Sequence, residues 1–162
     1  MNPFTRYFGS GPIGVSATVG LFYLAHLGKE RLGLPALCAN SDACKWIFII
    51  SFIPALSLAT WSVICLPPRA RALVLCRSGP FRYIRHPLYA AFIDFLSIGI
   101  AFYMNNAIYL IWAIALHPAW HLAVIYEEKL MLGQFGEEYA KYLASTGRFI
   151  PRLRPGGLSD KT

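Results

Sequence analysis

Four stretches of the chain are almost free of charge. Residues 7–28, 46–66 and 104–126 contain no Lys, Arg, Asp or Glu, and residues 87–103 contain a single acid, Asp94. A helix needs about 20 apolar residues to cross the hydrocarbon core of a bilayer. The three charge-free runs are long enough as they stand, and the remaining one becomes so if its helix starts near Arg85. One such run is compatible with a buried core helix of a soluble domain, whose helices average about 10–14 residues; four are not. The pattern predicts an all-α fold: a polytopic membrane helix bundle with transmembrane helices over 8–28, 46–66, 86–103 and 105–126.

Prolines and the changing polar pattern set the punctuation. Pro67-Pro68 ends the second helix, because proline lacks the amide that continues the ladder, while Pro87 suits the first turn of the third. Pro54 and Pro118 fall inside apolar runs and are expected to kink their helices. Beyond Tyr126, residues 127–143 alternate apolar side chains with acids and lysines, as expected of a C-terminal amphipathic helix that leaves the membrane and lies over a site. Gly147 ends it, Arg148-Phe149-Ile150-Pro151 continues as an extended cap, and a tail begins at Arg152. No repeat or linker divides the chain, so residues 1–162 are read as one domain. The first run has no small-x-small cleavage signal after it and exceeds the usual apolar length of a signal peptide; it is expected to be retained.

Composition agrees with the bilayer. Hydrophobic residues make up 56% and charged residues 14%, against about 45–50% and 25% in soluble domains. The net charge of +7 is concentrated in stretches flanking the apolar runs, which suits anionic lipid headgroups rather than nucleic acid. Arg6, the segment 67–86 (Arg69, Arg71, Arg77, Arg82, Arg85) and the stretch from Glu127 (Lys129, Lys141, Arg148, Arg152, Arg154, Lys161) hold twelve of the fifteen Lys and Arg residues. The loop 29–45 holds three. By the positive-inside rule both termini face the cytoplasm. Cys38 and Cys44 then lie in the exterior loop, where they could pair or remain free thiols; Cys65 and Cys76 lie on the reducing side.

Several motifs carry candidate chemistry. Gly9-Ser10-Gly11-Pro12-Ile13-Gly14 fits G-x-G-x-x-G, but it opens a membrane helix without a preceding strand, so a dinucleotide site is not expected. His117 and His121 share a helix face, with Glu128 near the same stripe. Such a trio can bind a metal, but four histidines are too few for a membrane di-iron oxygenase, and the favoured role is polar residues facing the bundle interior; no metal is expected. Asp94 is costly inside a membrane helix, about 2.5–3.5 kcal/mol on insertion scales, and must face protein, water or a partner such as Arg82 or a histidine. Asp94 and His121 are candidate substrate contacts.

The most specific pattern is in two parts: Gly79-Pro80-Phe81-Arg82-Tyr83-Ile84-Arg85-His86-Pro87-Leu88-Tyr89, then Glu127-Glu128, Phe135-Gly136-Glu137-Glu138-Tyr139 and Arg148-Phe149-Ile150-Pro151. Interfacial anchoring explains the aromatic and basic residues, but not His-Pro-x-Tyr at one helix start opposite Glu-Glu at another helix exit. Together the parts resemble the isoprenylcysteine carboxyl methyltransferase and phospholipid methyltransferase families over residues 73–151. The resemblance implies an enzyme that uses S-adenosylmethionine, bound on the cytoplasmic side by residues 67–89 and 127–151, with a tunnel toward the bilayer. It implies that His86, Pro87, Leu88, Tyr89 and Phe81 line the cofactor, that Leu73, Val74, Leu75 and Cys76 contact it through their backbone, and that Glu127 is both catalytic and a cofactor contact. Ala123 stands where the isoprenylcysteine enzymes carry an arginine, and Tyr126-Glu127-Glu128 looks more like the phospholipid enzymes. Ala91 replaces a common glycine.

The expected partners are membrane lipids and a lipophilic or lipidated substrate, either prenylcysteine carboxylate-like or phospholipid-like; the sequence leaves the oligomeric state open. An NADPH-dependent membrane sterol reductase and a non-catalytic membrane partner with the same fold are the alternative readings. The reductases are much longer than this chain.

Overall fold

The computed structural model describes residues 9–67, 70 and 73–152. The expectations placed on Arg6, Pro68, Arg69, Arg71, Arg154 and Lys161, on the first residue of the first span, and on the tail beyond Arg152 lie outside the described residues. Leu73 to Cys76 and all other candidate site residues lie within them.

Helix α1 spans Gly11–Leu32, opens with Pro12 in its first turn and closes on Gly33 at φ 56°. A left-handed residue at this position lets the last carbonyls be capped, and glycine takes it without a Cβ penalty. Lys29 and Arg31 in the last turn oppose the negative end of the dipole. Helix α2, Ser41–Cys65, starts where the Asn40 side chain accepts a hydrogen bond from the Asp42 amide. Helix α3 covers Pro87–Tyr103 and contains a π-helical turn at Ala91–Leu96. Helix α4, Ala107–Ser145, is capped by Asn106, whose side chain accepts from the Ile108 amide. Among the described residues the structure is helical, with one isolated bridge between Ile84 and Gly147.

Boundaries differ from the expected spans where caps and packing act. Asn40 starts α2 five residues ahead of the apolar run, since a capped turn needs no hydrophobic side chain. α4 passes the expected exit at Tyr126 without interruption, and its dihedral break comes at Gly136 (φ 54°, ψ −130°) rather than at Pro118. Its 39 residues therefore form two helical segments joined at Gly136 rather than one straight rod. Beyond Gly136 the chain turns back toward the start of α3: Arg85 reaches both Glu128 and the Leu143 carbonyl, and the Tyr142 hydroxyl reaches the Phe81 carbonyl.

α2 and α4 are long and apolar enough to cross a membrane. Their surfaces fit that environment: Ile64, Leu122 and Ile114 are all 70% exposed or more, whereas water-soluble monomers seldom leave large contiguous apolar faces open. The interior instead combines Tyr109, Leu116 and Val124 with Ala90, Ala101 and Gly14. α1 packs on α4, α4 on α3 and α3 on α2. Small residues permit the close approaches: a Cβ at Gly14 would lie 2.5 Å from the Trp120 ring, and one at Gly99 would lie 3.0 Å from Ser51. Hydrogen bonds fasten the same seams. Trp120 Nε1 donates to Thr18 Oγ1 (3.0 Å), Trp112 Nε1 to the Thr18 carbonyl (3.2 Å), and His26 pairs with the Tyr109 hydroxyl (3.0 Å). Small residues and interhelical polar contacts are what hold helices together where apolar burial gives little advantage.

At one end of the bundle the loop after α1 is tied to the α3–α4 turn. Asn105 Oδ1 accepts from the Leu37 and Cys38 amides, and the Ala107 amide donates to the Pro35 carbonyl. Here Cys38 and Cys44 form a disulfide, while Cys65 and Cys76 are free. Of the two states the sequence left open for Cys38 and Cys44, the structure takes the paired one.

Candidate active site

At the opposite end, the segment before α3 and the segment after α4 clasp one another. A 3₁₀ turn at Gly79–Arg82 leads into residues 83–86, which run beside 147–148. The Arg85 amide donates to the Gly147 carbonyl (2.8 Å) and the His86 amide to the Arg148 carbonyl (3.0 Å). The Tyr142 hydroxyl donates to the Phe81 carbonyl at 2.6 Å, and at the surface Arg77 meets Glu138 at 2.7 Å. Gly147 is required by this turn, because a Cβ there would run into the Ile150 carbonyl.

Glu128 is the centre of the clasp. It is buried, accepts from Arg85 Nε at 2.9 Å, and pairs with the Arg148 guanidinium. Arg85 also donates to the Thr146 and Leu143 carbonyls. Burial alone would raise the Glu128 pKa; the neighbouring His86 ring and the Arg148 and Arg85 guanidinium groups outweigh it and hold the carboxyl well below the usual carboxylate range. Burial also pushes the Tyr139 and Tyr142 hydroxyls up.

Glu127 is the next residue but points elsewhere, since successive helical side chains diverge by about 100°. Its Oε2 accepts from the Ser10 hydroxyl (2.6 Å), the Ser10 amide (2.9 Å) and the Tyr89 hydroxyl (3.3 Å). Its side chain remains 27% exposed. His86 lies between the two acids, with Nδ1 4.0 Å from Glu127 and Nε2 3.4 Å from Glu128. Beyond this contact to Glu128, the buried Nε2 has no hydrogen-bond partner among the described residues. The His86 and Tyr89 rings are nearly parallel with centroids 5.6 Å apart, and Tyr89 packs on Trp120 at 4.6 Å.

Two cavities lie at this end of the bundle, and neither is lined by His86, Tyr89 or Glu127. The first, about 520 Å³, is lined by Cys65, Leu66, Ala70 and residues 74–78. The second, also about 520 Å³, is apolar; Leu58, Trp61, Phe95, Ile98 and Phe149 line it, with Asp94, His117 and Tyr83 as its ionisable residues. Asp94 and His117 lie 3.3 Å apart, and Asp94 is carried on the π turn of α3. Both cavities fall in the size range of small-molecule sites, about 300–1,000 Å³.

The structure thus gathers His86, Tyr89 and Glu127 into one cluster, with Pro87 buried and Leu88 half-buried beside them. Val74, Leu75 and Cys76 line the first cavity, Leu73 is exposed, and Phe81 takes part through its carbonyl. Asp94 faces the second cavity with His117, whereas His121 packs edge-on against Phe149. His117, His121 and Glu128 therefore have separate partners, and no group of three metal-ligating side chains converges among the described residues.

Sequence reasoning did not single out Ser10 or Trp120 as site components; it placed Arg148 in the motif without a role, and it named Glu127 as the catalytic acid while giving Glu128 no structural part. The only signal for Ser10 was its place between two glycines, which allow a close backbone approach.

Residues 43–138 match the phospholipid methyltransferase family. No curated protein gives a significant match to the chain. The family match runs from the first turn of α2 into the last segment of α4, covers well over half of the 162 residues, and includes Arg85, His86, Tyr89, Glu127 and Glu128. On that ground the chain belongs to the phospholipid methyltransferase family.

Proposed function

We propose that the protein transfers a methyl group from S-adenosylmethionine to a lipophilic or amphiphilic acceptor, phospholipid-like or prenylcysteine carboxylate-like, at the cytoplasmic membrane face. The observation that carries this reading is the meeting of the Tyr89 hydroxyl with the Glu127 carboxylate beside a buried His86 nitrogen that, beyond its contact to Glu128, has no hydrogen-bond partner among the described residues.

The residues fit the cofactor's chemistry. His86, Pro87, Leu88 and Tyr89, with Phe81, would line it, the backbone of Leu73 and of Val74, Leu75 and Cys76 at the first cavity would contact it, and Glu127 would face it. When bound, S-adenosylmethionine supplies an electrophilic methyl group on a sulfonium. Glu127, with Oε2 occupied by protein donors and Oε1 turned toward His86, would offer a carboxylate to that positive charge. For an amine acceptor the same carboxylate can take the proton released; for a carboxylate acceptor no base is needed. The apolar walls of the second cavity suit an acceptor's hydrocarbon, and they limit water near the reacting groups.

The membrane placement follows the same logic. Four spans, both termini inside, put the clasp on the cytoplasmic side, where the basic residues concentrate, and the Cys38–Cys44 loop on the other. The whole chain then acts as one domain.

The direct test is calorimetric titration of S-adenosylmethionine into the detergent-solubilised protein, paired with mass spectrometry of lipids methylated in expressing cells. Wild type should bind and methylate. Glu127→Gln should lose at least tenfold in transfer and bind the cofactor more weakly. Normal turnover and affinity in that variant would reject the role given to Glu127, and absence of cofactor binding in wild type would reject the function.

A further inference from the structure

α1 lies wholly outside the stretch that matches the family, yet its first turn touches the Glu127 carboxylate more closely than any residue inside that stretch. Ser10 is 1% exposed, and both of its donors go to one oxygen: the hydroxyl at 2.6 Å and the amide at 2.9 Å to Oε2. Gly9, at φ 54°, has no room for a side chain, because a Cβ would lie 2.7 Å from the same oxygen. A Cβ at Gly11 would come within 3.8 Å of the Tyr89 hydroxyl. The turn is therefore fitted to the Glu127–Tyr89 pair over three consecutive residues.

Its register is fixed from below. Gly14 is in contact with the Trp120 ring, and Thr18 receives the Trp120 indole hydrogen bond, two turns before Glu127 on α4. Trp120 also packs against Tyr89. One aromatic side chain thus sets the height of α1 and the place of Tyr89 together.

We infer that Ser10 is a positioning residue for methyl transfer: by occupying Glu127 Oε2 with two donors, it fixes the carboxylate's rotation and leaves Oε1, 4.0 Å from His86 Nδ1, as the oxygen presented to the site. A carboxylate held by Tyr89 alone at 3.3 Å could rotate and exchange its oxygens. Two short charge-assisted hydrogen bonds from a buried, helix-capping residue prevent this. The inference rests on the proposed function, because it concerns how that site is held.

The test uses the full chain in native membranes, with transfer of tritiated methyl from S-adenosylmethionine into the lipid extract as readout. Ser10→Ala should lower kcat about tenfold while changing cofactor affinity less than threefold, and Ser10→Thr, which keeps the hydroxyl, should restore most of the rate. In a Glu127→Gln background Ser10→Ala should have little further effect, because the group it acts through is gone. Three results overturn the inference. Ser10→Ala could keep kcat within twofold of wild type, Ser10→Thr could fail to rescue, or the two substitutions could multiply independently. Wild-type membranes that transfer no label and bind no cofactor would instead overturn the proposed function and this inference with it.

Discussion

The Arg85 guanidinium and the Glu128 carboxylate lie 2.9 Å apart with under a tenth of either side chain exposed. They come from residues 43 apart in the chain, one before α3 and one far along α4, and Arg148 reaches the same carboxylate from beyond the end of α4. One buried acid therefore closes three segments around the cluster of His86, Tyr89 and Glu127. Adjacent glutamates take different partners: Glu128 holds the end of the bundle together, and Glu127 meets Ser10 and Tyr89.

Removing the acid should open the clasp. Glu128→Ala leaves the buried Arg85 guanidinium and the partly exposed Arg148 without their counter-charge, a loss of about 3–5 kcal/mol. Thermal unfolding in detergent should show a Tm well below wild type, whereas Glu127→Gln, at a partly exposed position, should stay near it. Equal Tm values for wild type and Glu128→Ala would contradict the role given to Glu128.

The same acid should set an acid limit. Its carboxyl is held below the value it has in an unfolded chain, about 4.3, so between the two values the unfolded state binds more protons and stability rises with pH. Its contribution is complete at neutral pH and is lost as pH falls from about 4 toward the lowered native value. Wild type should lose Tm below about pH 4 more steeply than Glu128→Gln; parallel curves would contradict the linkage.

Tyr89→Phe keeps the ring that packs on Trp120 and stacks with His86 and removes only the hydroxyl that reaches Glu127. A hydrogen bond to a charged group is worth about 1.5–3 kcal/mol, so methyl transfer should fall about tenfold or more while Tm changes little. An unchanged rate would show that the hydroxyl is not used.

Gly14→Ala inserts a methyl into the contact between α1 and the Trp120 ring. Overpacking of this kind costs about 1–3 kcal/mol, and here it also lifts the turn that carries Ser10. Both Tm and transfer rate should drop, whereas Gly20→Ala, with open space around it, should leave both near wild type.

Alkylation counted by mass spectrometry should add two labels to the unfolded, non-reduced protein, at Cys65 and Cys76, and four after reduction. Four labels without reductant would show the Cys38–Cys44 bond to be absent.

Much of this was readable in order along the chain. Apolar runs located the helices because a membrane-spanning segment must satisfy its backbone internally and present hydrocarbon outward, a constraint local to about 20 residues. That His86, Tyr89 and Glu127 come together was also legible, since their spacing makes a pattern in one dimension. Composition could not say where α4 breaks: Gly136, not Pro118, takes the non-helical dihedrals, and the π turn at Ala91–Leu96 that presents Asp94 has no compositional mark.

Tertiary structure alone decided which partner each polar group finds. Glu127 and Glu128 are alike in sequence, and only the angular step of the helix and the helices packed around it send one to Arg85 and Arg148 and the other to Ser10 and Tyr89. Ser10 and Glu127 are 117 residues apart. No local pattern can bring them together; the fit of Gly14 against Trp120 does, because helix register is set by the shapes in contact rather than by the order of residues.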